Sequence, residues 1–213
     1  MLEKFTAILI LDIRVHWKML LGMITFACAI PTYAYITGDH RVKIVAMLFG
    51  FTFLAVPVIS PWWLVGNDRS KGTIWLLVSL PLSRLQLALV KCTEVVALSS
   101  VVFTISVAIA SALGLLGSSD LTQFIIAAPL FYLPIALLAT GLFLVFPARI
   151  AMFPLYVIFF GLLKLSNEYL PVLQKYGNVA LYLLILCALC ALAGAAFLTC
   201  VRLWSIRPSP AEV

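Results

Sequence analysis

The residues able to do chemistry are few. Asn67-Asp68-Arg69-Ser70-Lys71 sets one carboxylate between polar groups and two cations, and Gly72 follows at once. A cluster of this kind can orient or recruit a charged partner. It pairs no nucleophile with a base, so it is not a hydrolytic centre. Lys91 and Glu94 lie about one helical turn apart in an apolar run and can form an ion pair on one helix face. His16 and His40 stand alone, without the neighbouring ligands a metal site needs. Cys187 and Cys190 have the C-x-x-C spacing. They sit in an apolar stretch that disfavours thiolates, so we expect two packed small side chains. The other cysteines, Cys28, Cys92 and Cys200, complete no disulfide framework. No G-x-x-x-x-G-K-S/T loop is present to cradle a nucleotide's phosphates. The chain by itself therefore reads as no enzyme, with no catalytic residue and no metal site.

The elements holding these residues follow from composition. Of 213 residues, 64% are apolar and 10% are charged. The mean hydropathy is +1.17. Soluble domains are about 45–50% apolar and about 25% charged. A water-soluble fold of this size has too little interior to hide so much apolar surface. The lipid bilayer is thus the first expected partner, and the chain reads as one all-α integral membrane domain. The formal charge of +6 is what cytosolic loops retain in such proteins. No dense basic run points to nucleic acid.

Spanning a hydrocarbon core of about 30 Å takes about 20 apolar residues in a helix. Six runs are assigned as transmembrane helices: 19–36, 44–66, 90–116, 124–147, 150–163 and 179–201. The fifth is short. With a cytosolic N-terminus, the inner side holds Lys4, Arg14, Lys18, Arg69, Lys71, Arg84, Lys91, Arg149, Arg202 and Arg207. The outer side then holds only Arg41, Lys43, Lys164 and Lys175. The positive-inside rule therefore places both termini in the cytosol.

Residues 1–18 carry Phe5, Ile8, Leu9 and Ile13 at helical spacing, with Glu3, Lys4, Asp12 and Arg14 marking a polar side. We expect an interfacial amphipathic helix there, leading into the first crossing at Trp17 and Lys18. The first apolar run shows no small-residue cleavage pattern, and five more follow, so a cleaved signal peptide is not expected. The tail from Arg207, with two prolines, reads as a short disordered end.

Two longer segments do not span, at 67–89 and 164–178. In the first, Gly72 permits a sharp change of direction. Thr73 to Leu80 is apolar but too short to cross. It must lie along the membrane or in a partner's groove. Pro81 ends that helix and Ser83 caps the next. Arg84 and Lys91 keep that end on the cytosolic side.

This run resembles the inner loop of the membrane subunits of ABC-2 type ATP-binding-cassette transporters. In that family an acidic-basic cluster precedes Gly-Thr and two or three leucines. A Pro-x-Ser-Arg follows, and a Lys opens the third helix. The matching residues here are Asp68, Arg69, Gly72, Thr73, Leu76, Leu77, Pro81, Ser83, Arg84 and Lys91. The family usually has Gly before that Lys, where this chain has Val90, and more often Glu than Asp at the acidic position. The resemblance in motif covers 67–91; the six-helix layout with an amphipathic N-terminal helix agrees along the rest of the chain.

The resemblance implies that 67–89 forms a cytosolic coupling helix between the second and third crossings. It would dock on a separate ATP-binding-cassette ATPase subunit, which would carry the ATP and magnesium; this chain would bind no cofactor. Ile74 and Trp75 would anchor the contact, since aromatic side chains dominate interface energetics. Arg69, Lys71 and Arg84 would orient it from the rim. A second membrane subunit, identical or not, would complete an exporter in a bacterial cytoplasmic membrane. With few fixed charges facing the bundle, the cargo expected is amphipathic or apolar: a lipid, a drug or a peptide. Two alternatives stand beside this reading. One is a haem-export-type subunit of cytochrome maturation. The other is a non-transporting assembly or immunity protein whose inner loop recruits a partner.

The same family places short re-entrant helices between the fifth and sixth crossings. The amphipathic segment 164–178, broken by Pro171, occupies that place and would complete the short fifth crossing. Ser100, Thr104, Ala108 and Ala112 repeat every four residues and give the third helix a face for close approach. Pro31, Pro57, Pro61, Pro129, Pro134 and Pro154 lie inside crossings, where prolines kink helices.

Overall fold

The computed structural model describes residues 2–38, 55–67, 83–147, 149–157 and 179–206, and every regular element among them is helical. They are α1 (Leu2–Thr37), α2 (Val56–Pro61, continued by a π-helical turn over Trp62–Asn67), α3 (Arg84–Ala112), α4 (Ser118–Val145), α5 (149–157) and α6 (Val179–Ile206). Three of these helices carry stretches long and apolar enough to cross a membrane: Asp12–Thr37, Arg84–Ala112 and Cys187–Ile206. The chain is a multi-pass, membrane-associated helical protein.

The 36 residues of α1 form one unbroken helix. The expected division into an interfacial helix over 1–18 and a crossing over 19–36 is not a break in the backbone. No glycine or proline interrupts Leu2 to Leu21, so nothing removes a helical hydrogen bond there. At 1.5 Å per residue the helix is about 54 Å long, well beyond a hydrocarbon core of about 30 Å. Its charged residues also divide differently from the pattern in the sequence. Arg14 is exposed, whereas Asp12 and His16 are buried.

Two proline residues shape α2. Pro57 sits in its first turn, where its missing N–H costs nothing. Pro61 cannot donate to the carbonyl four residues back, and its ring crowds that turn. The next amide, from Trp62, bonds instead to the Ile59 carbonyl, and the chain continues as the wider π turn. At the far end of α3, Gly114 adopts φ +68°. The Gly114 amide bonds to Ser111 O at 3.0 Å and the Leu115 amide to Ala110 O at 2.9 Å, closing the helix in a Schellman turn. That turn reverses the chain into α4.

In the bundle, α3 packs between α1 and α4, α2 lies against both α3 and α4, and α4 makes its main contact with α6. The core runs through Leu87, Val95, Phe103, Ala136, Phe143 and Phe197. The α4–α6 contact is close at Gly141. A Cβ there would lie 3.3 Å from the Phe197 Cα and 3.2 Å from the Cys200 Cβ. Small residues permit such approach where lipid offers no hydrophobic drive for association.

The segments 44–54, 68–82, 158–163 and 164–178 and the tail from Arg207 lie outside the described residues. So do parts of the expected second and fifth crossings, most of the coupling segment and the re-entrant segment.

Candidate functional site

The site is the end of the bundle where α3 begins. Ser83 has extended backbone angles, φ −66° and ψ 151°, and caps the helix. The Gln86 amide donates to Ser83 Oγ at 3.1 Å, and the Ser83 amide donates to Gln86 Oε1 at 2.9 Å. This capping box satisfies two amides that would otherwise lack partners. It fixes where the chain turns from the preceding segment into the helix.

Arg84, the first residue of α3, reaches the last turn of α6. Its Nη1 donates to the carbonyls of Trp204 at 2.7 Å and Ser205 at 3.1 Å. Its guanidinium carbon also lies 5.8 Å from the centre of the Trp204 ring. The terminal carbonyls of a helix have no partner within it, and the helix dipole makes that end attractive to a cation. Arg84 answers both needs, and Trp204 is buried beneath it.

Two turns further along α3, the Lys91 side chain is fully buried and hydrogen-bonded to Asp12 of α1. Glu94 is 5% exposed, and its Oε2 lies 3.6 Å from the Lys91 Nζ. Among the described residues, neither Glu94 oxygen has a hydrogen-bond partner. His16, one turn beyond Asp12, is buried as well. A charge in this setting is costly unless paired, so Asp12 and Lys91 hold one another and hold α1 to α3.

A second link sits higher between the same two helices. Ser106 Oγ donates to the carbonyl of Ala27 at 3.3 Å. Both links join residues 79 apart in sequence. A constant separation means that α1 and α3 run parallel and in register. On the other side of α3, the Ser100 and Tyr132 hydroxyls meet at 2.8 Å and join it to α4.

Of the residues singled out in the sequence, Ser83 and Arg84 stand at the start of α3, with Lys91 and Glu94 within its next turns. Asp68, Arg69, Lys71, Gly72, Thr73, Ile74, Trp75, Leu76, Leu77 and Pro81 lie outside the described residues. Cys187 is exposed on the apolar surface of α6 and Cys190 is half-buried; both are free thiols. Ser100 and Thr104 return their hydroxyls to carbonyls one turn back, at Val96 and Ser100. Among the described residues, no group of histidine, cysteine and carboxylate side chains is placed to hold a metal ion.

Sequence reasoning missed Asp12 as the partner of Lys91. The signal available was weak. A lysine inside an apolar run requires a nearby counter-charge, and among the described residues the acids beside it are Asp12 on α1 and Glu94 on α3 itself. The geometry supports three functions: capping a helix, clamping a helix terminus and pairing buried charge across helices. None of these requires a bound cofactor. No protein-family model matches the chain, and no curated protein or solved structure matches it.

Proposed function

We propose that the chain is the membrane-spanning subunit of an ATP-driven exporter of the ABC-2 type. It has six crossings with both termini in the cytosol, and works in a cytoplasmic membrane with a second membrane subunit and separate ATPase subunits. The observation that carries this reading is the run 67–91. A charged cluster, Gly-Thr, two leucines and Pro-x-Ser-Arg stand between two apolar runs, with Lys91 two turns into the helix that follows.

Two features of the fold support the reading. The parallel register of α1 and α3 suits a chain that crosses the membrane once more between them. The run's last residues are also built for rigidity, with Ser83 capping α3 and Arg84 fastened to α6. A segment that transmits a partner's motion needs a stiff attachment to the helices it moves. In this reading, ATP binding closes the ATPase subunits on one another and displaces the coupling segments. The membrane halves then change their packing around an amphipathic or apolar cargo.

The test is co-purification. The intact chain should bring down an ATP-binding-cassette ATPase encoded beside it. Ile74→Asp with Trp75→Asp should abolish that association while leaving the chain folded in the membrane. If the doubly substituted chain still binds the ATPase, the docking assignment fails. If no such ATPase associates at all, the transporter reading fails.

A further inference from the structure

We infer that Arg84 and Lys91 are positioning residues that make the first turns of α3 a junction, tying α6 and α1 to the helix that leaves the 67–83 run. The inference rests on the reading of that run as the segment that receives an ATPase's motion.

The two ties differ in kind from the packing around them. Apolar side chains in lipid adapt to small sliding motions, because one apolar neighbour replaces another at little cost. Arg84 instead makes directional bonds, at 2.7 Å and 3.1 Å, to two successive carbonyls at the end of α6. Lys91 is fully buried against Asp12, and pulling two buried opposite charges apart in a medium of low dielectric is costly. Both ties therefore resist separation.

Their placement gives the junction its consequence. Arg84 is the first residue of α3 and Lys91 lies two turns along, so both fall directly after the capped start at Ser83. α1 is held on through Asp12, and Ser106 extends the same register one level up. The Arg84 tie reaches α6 at its final turn. A displacement delivered to the start of α3 would thus carry α1 along much of its length and pull α6 from its end. α4, joined to α3 at mid-helix through Ser100 and Tyr132 and packed along α6, is the helix that both ties work against.

The experiment uses the full chain in lipid nanodiscs, diluted with unlabelled chain. Spin labels are attached through a non-canonical amino acid at the exposed positions Ile13, Leu89, Leu203 and Phe153. Distances are measured in pairs. Arg84→Ala should broaden the Leu89–Leu203 distribution and leave Leu89–Ile13 narrow, while Arg84→Lys should restore much of the order. Asp12→Leu with Lys91→Met, which removes the charges without a void, should do the reverse. An unchanged Leu89–Leu203 distribution in Arg84→Ala overturns the inference.

A second arm adds the co-purifying ATPase, made hydrolysis-deficient, with ATP and magnesium. In the native chain the labels on α1, α3 and α6 should shift together relative to Phe153. In Arg84→Ala the Leu203 label should lag behind. A label that shifts as far without Arg84 overturns the junction. Failure of any ATPase to bind would instead remove the transporter reading, and the first arm would still decide whether the junction exists.

Discussion

Lys91 of α3 and Asp12 of α1 are joined as a buried ion pair across 79 residues of sequence. The pair lies two turns into α3, between that helix and α1. It fixes the register of the first helix against the third, a register that Ser106 and Ala27 repeat further along. Both charges are hidden from solvent, so separating them is costly.

Breaking that pair should be expensive. Among the described residues, Asp12→Asn leaves the Lys91 ammonium beside the Glu94 carboxylate at 3.6 Å. A loss of about 3–5 kcal/mol is expected for one partner removed from a buried pair. Replacing both with Leu and Met should recover most of it. Denaturant unfolding in mixed micelles, followed by tryptophan fluorescence, measures the difference. An Asp12→Asn chain as stable as the native one would show that the pair does not hold α1.

Two glycines make a matched comparison. A Cβ at Gly141 would press on the Phe197 backbone at 3.3 Å. Gly141→Ala should cost about 1–3 kcal/mol, as overpacking does elsewhere. At Gly194 nothing lies within 4 Å. Gly194→Ala should be neutral or stabilising by up to about 1 kcal/mol, through helix propensity. The same unfolding assay reads both, and the prediction is the difference between them.

The hydroxyl pair linking α3 to α4 should show coupling. Ser100→Ala and Tyr132→Phe each remove one side of a 2.8 Å bond. Side-chain hydrogen bonds between membrane helices average about 0.6 kcal/mol. A double-mutant cycle should return an interaction energy of that order, and strictly additive losses would deny the bond a role.

The start of α3 offers a local test. Ser83→Ala removes the acceptor for the Gln86 amide, at a cost of about 1 kcal/mol. Hydrogen exchange at Gln86 and Leu87 should quicken, while the far end of α3 is unaffected. Ser83→Asp should keep the amides protected, since a carboxylate accepts the same bond and suits the helix N-terminus.

Much of the architecture was legible in the residues. Apolar runs of sufficient length predict membrane helices, because lipid forces each crossing to satisfy its own backbone. Ser83 was expected to cap the helix after Pro81, and the α3 cap forms there, with Gln86 completing the box. Arg84 was less legible. Its type and position read as a charge for an external partner, yet it also reaches two carbonyls 120 and 121 residues away. The amphipathic pattern of residues 1–18 was misleading about Asp12. A carboxylate on a helix next to Arg14 looks solvent-facing until another helix brings a lysine against it.

The amino-acid sequence by itself determined that this is a helical, multi-pass membrane protein, since its apolar content and run lengths leave few other ways to satisfy backbone and side chains. It also pointed to Ser83 as the start of α3, because a helix cap is a local interaction among neighbouring residues. Only the tertiary structure decided which charges are paired. Lys91 had Glu94 within reach on its own helix, but Asp12 takes the direct hydrogen bond. That choice depends on how α1 packs beside α3, and packing between helices is set by the whole bundle rather than by spacing along one of them.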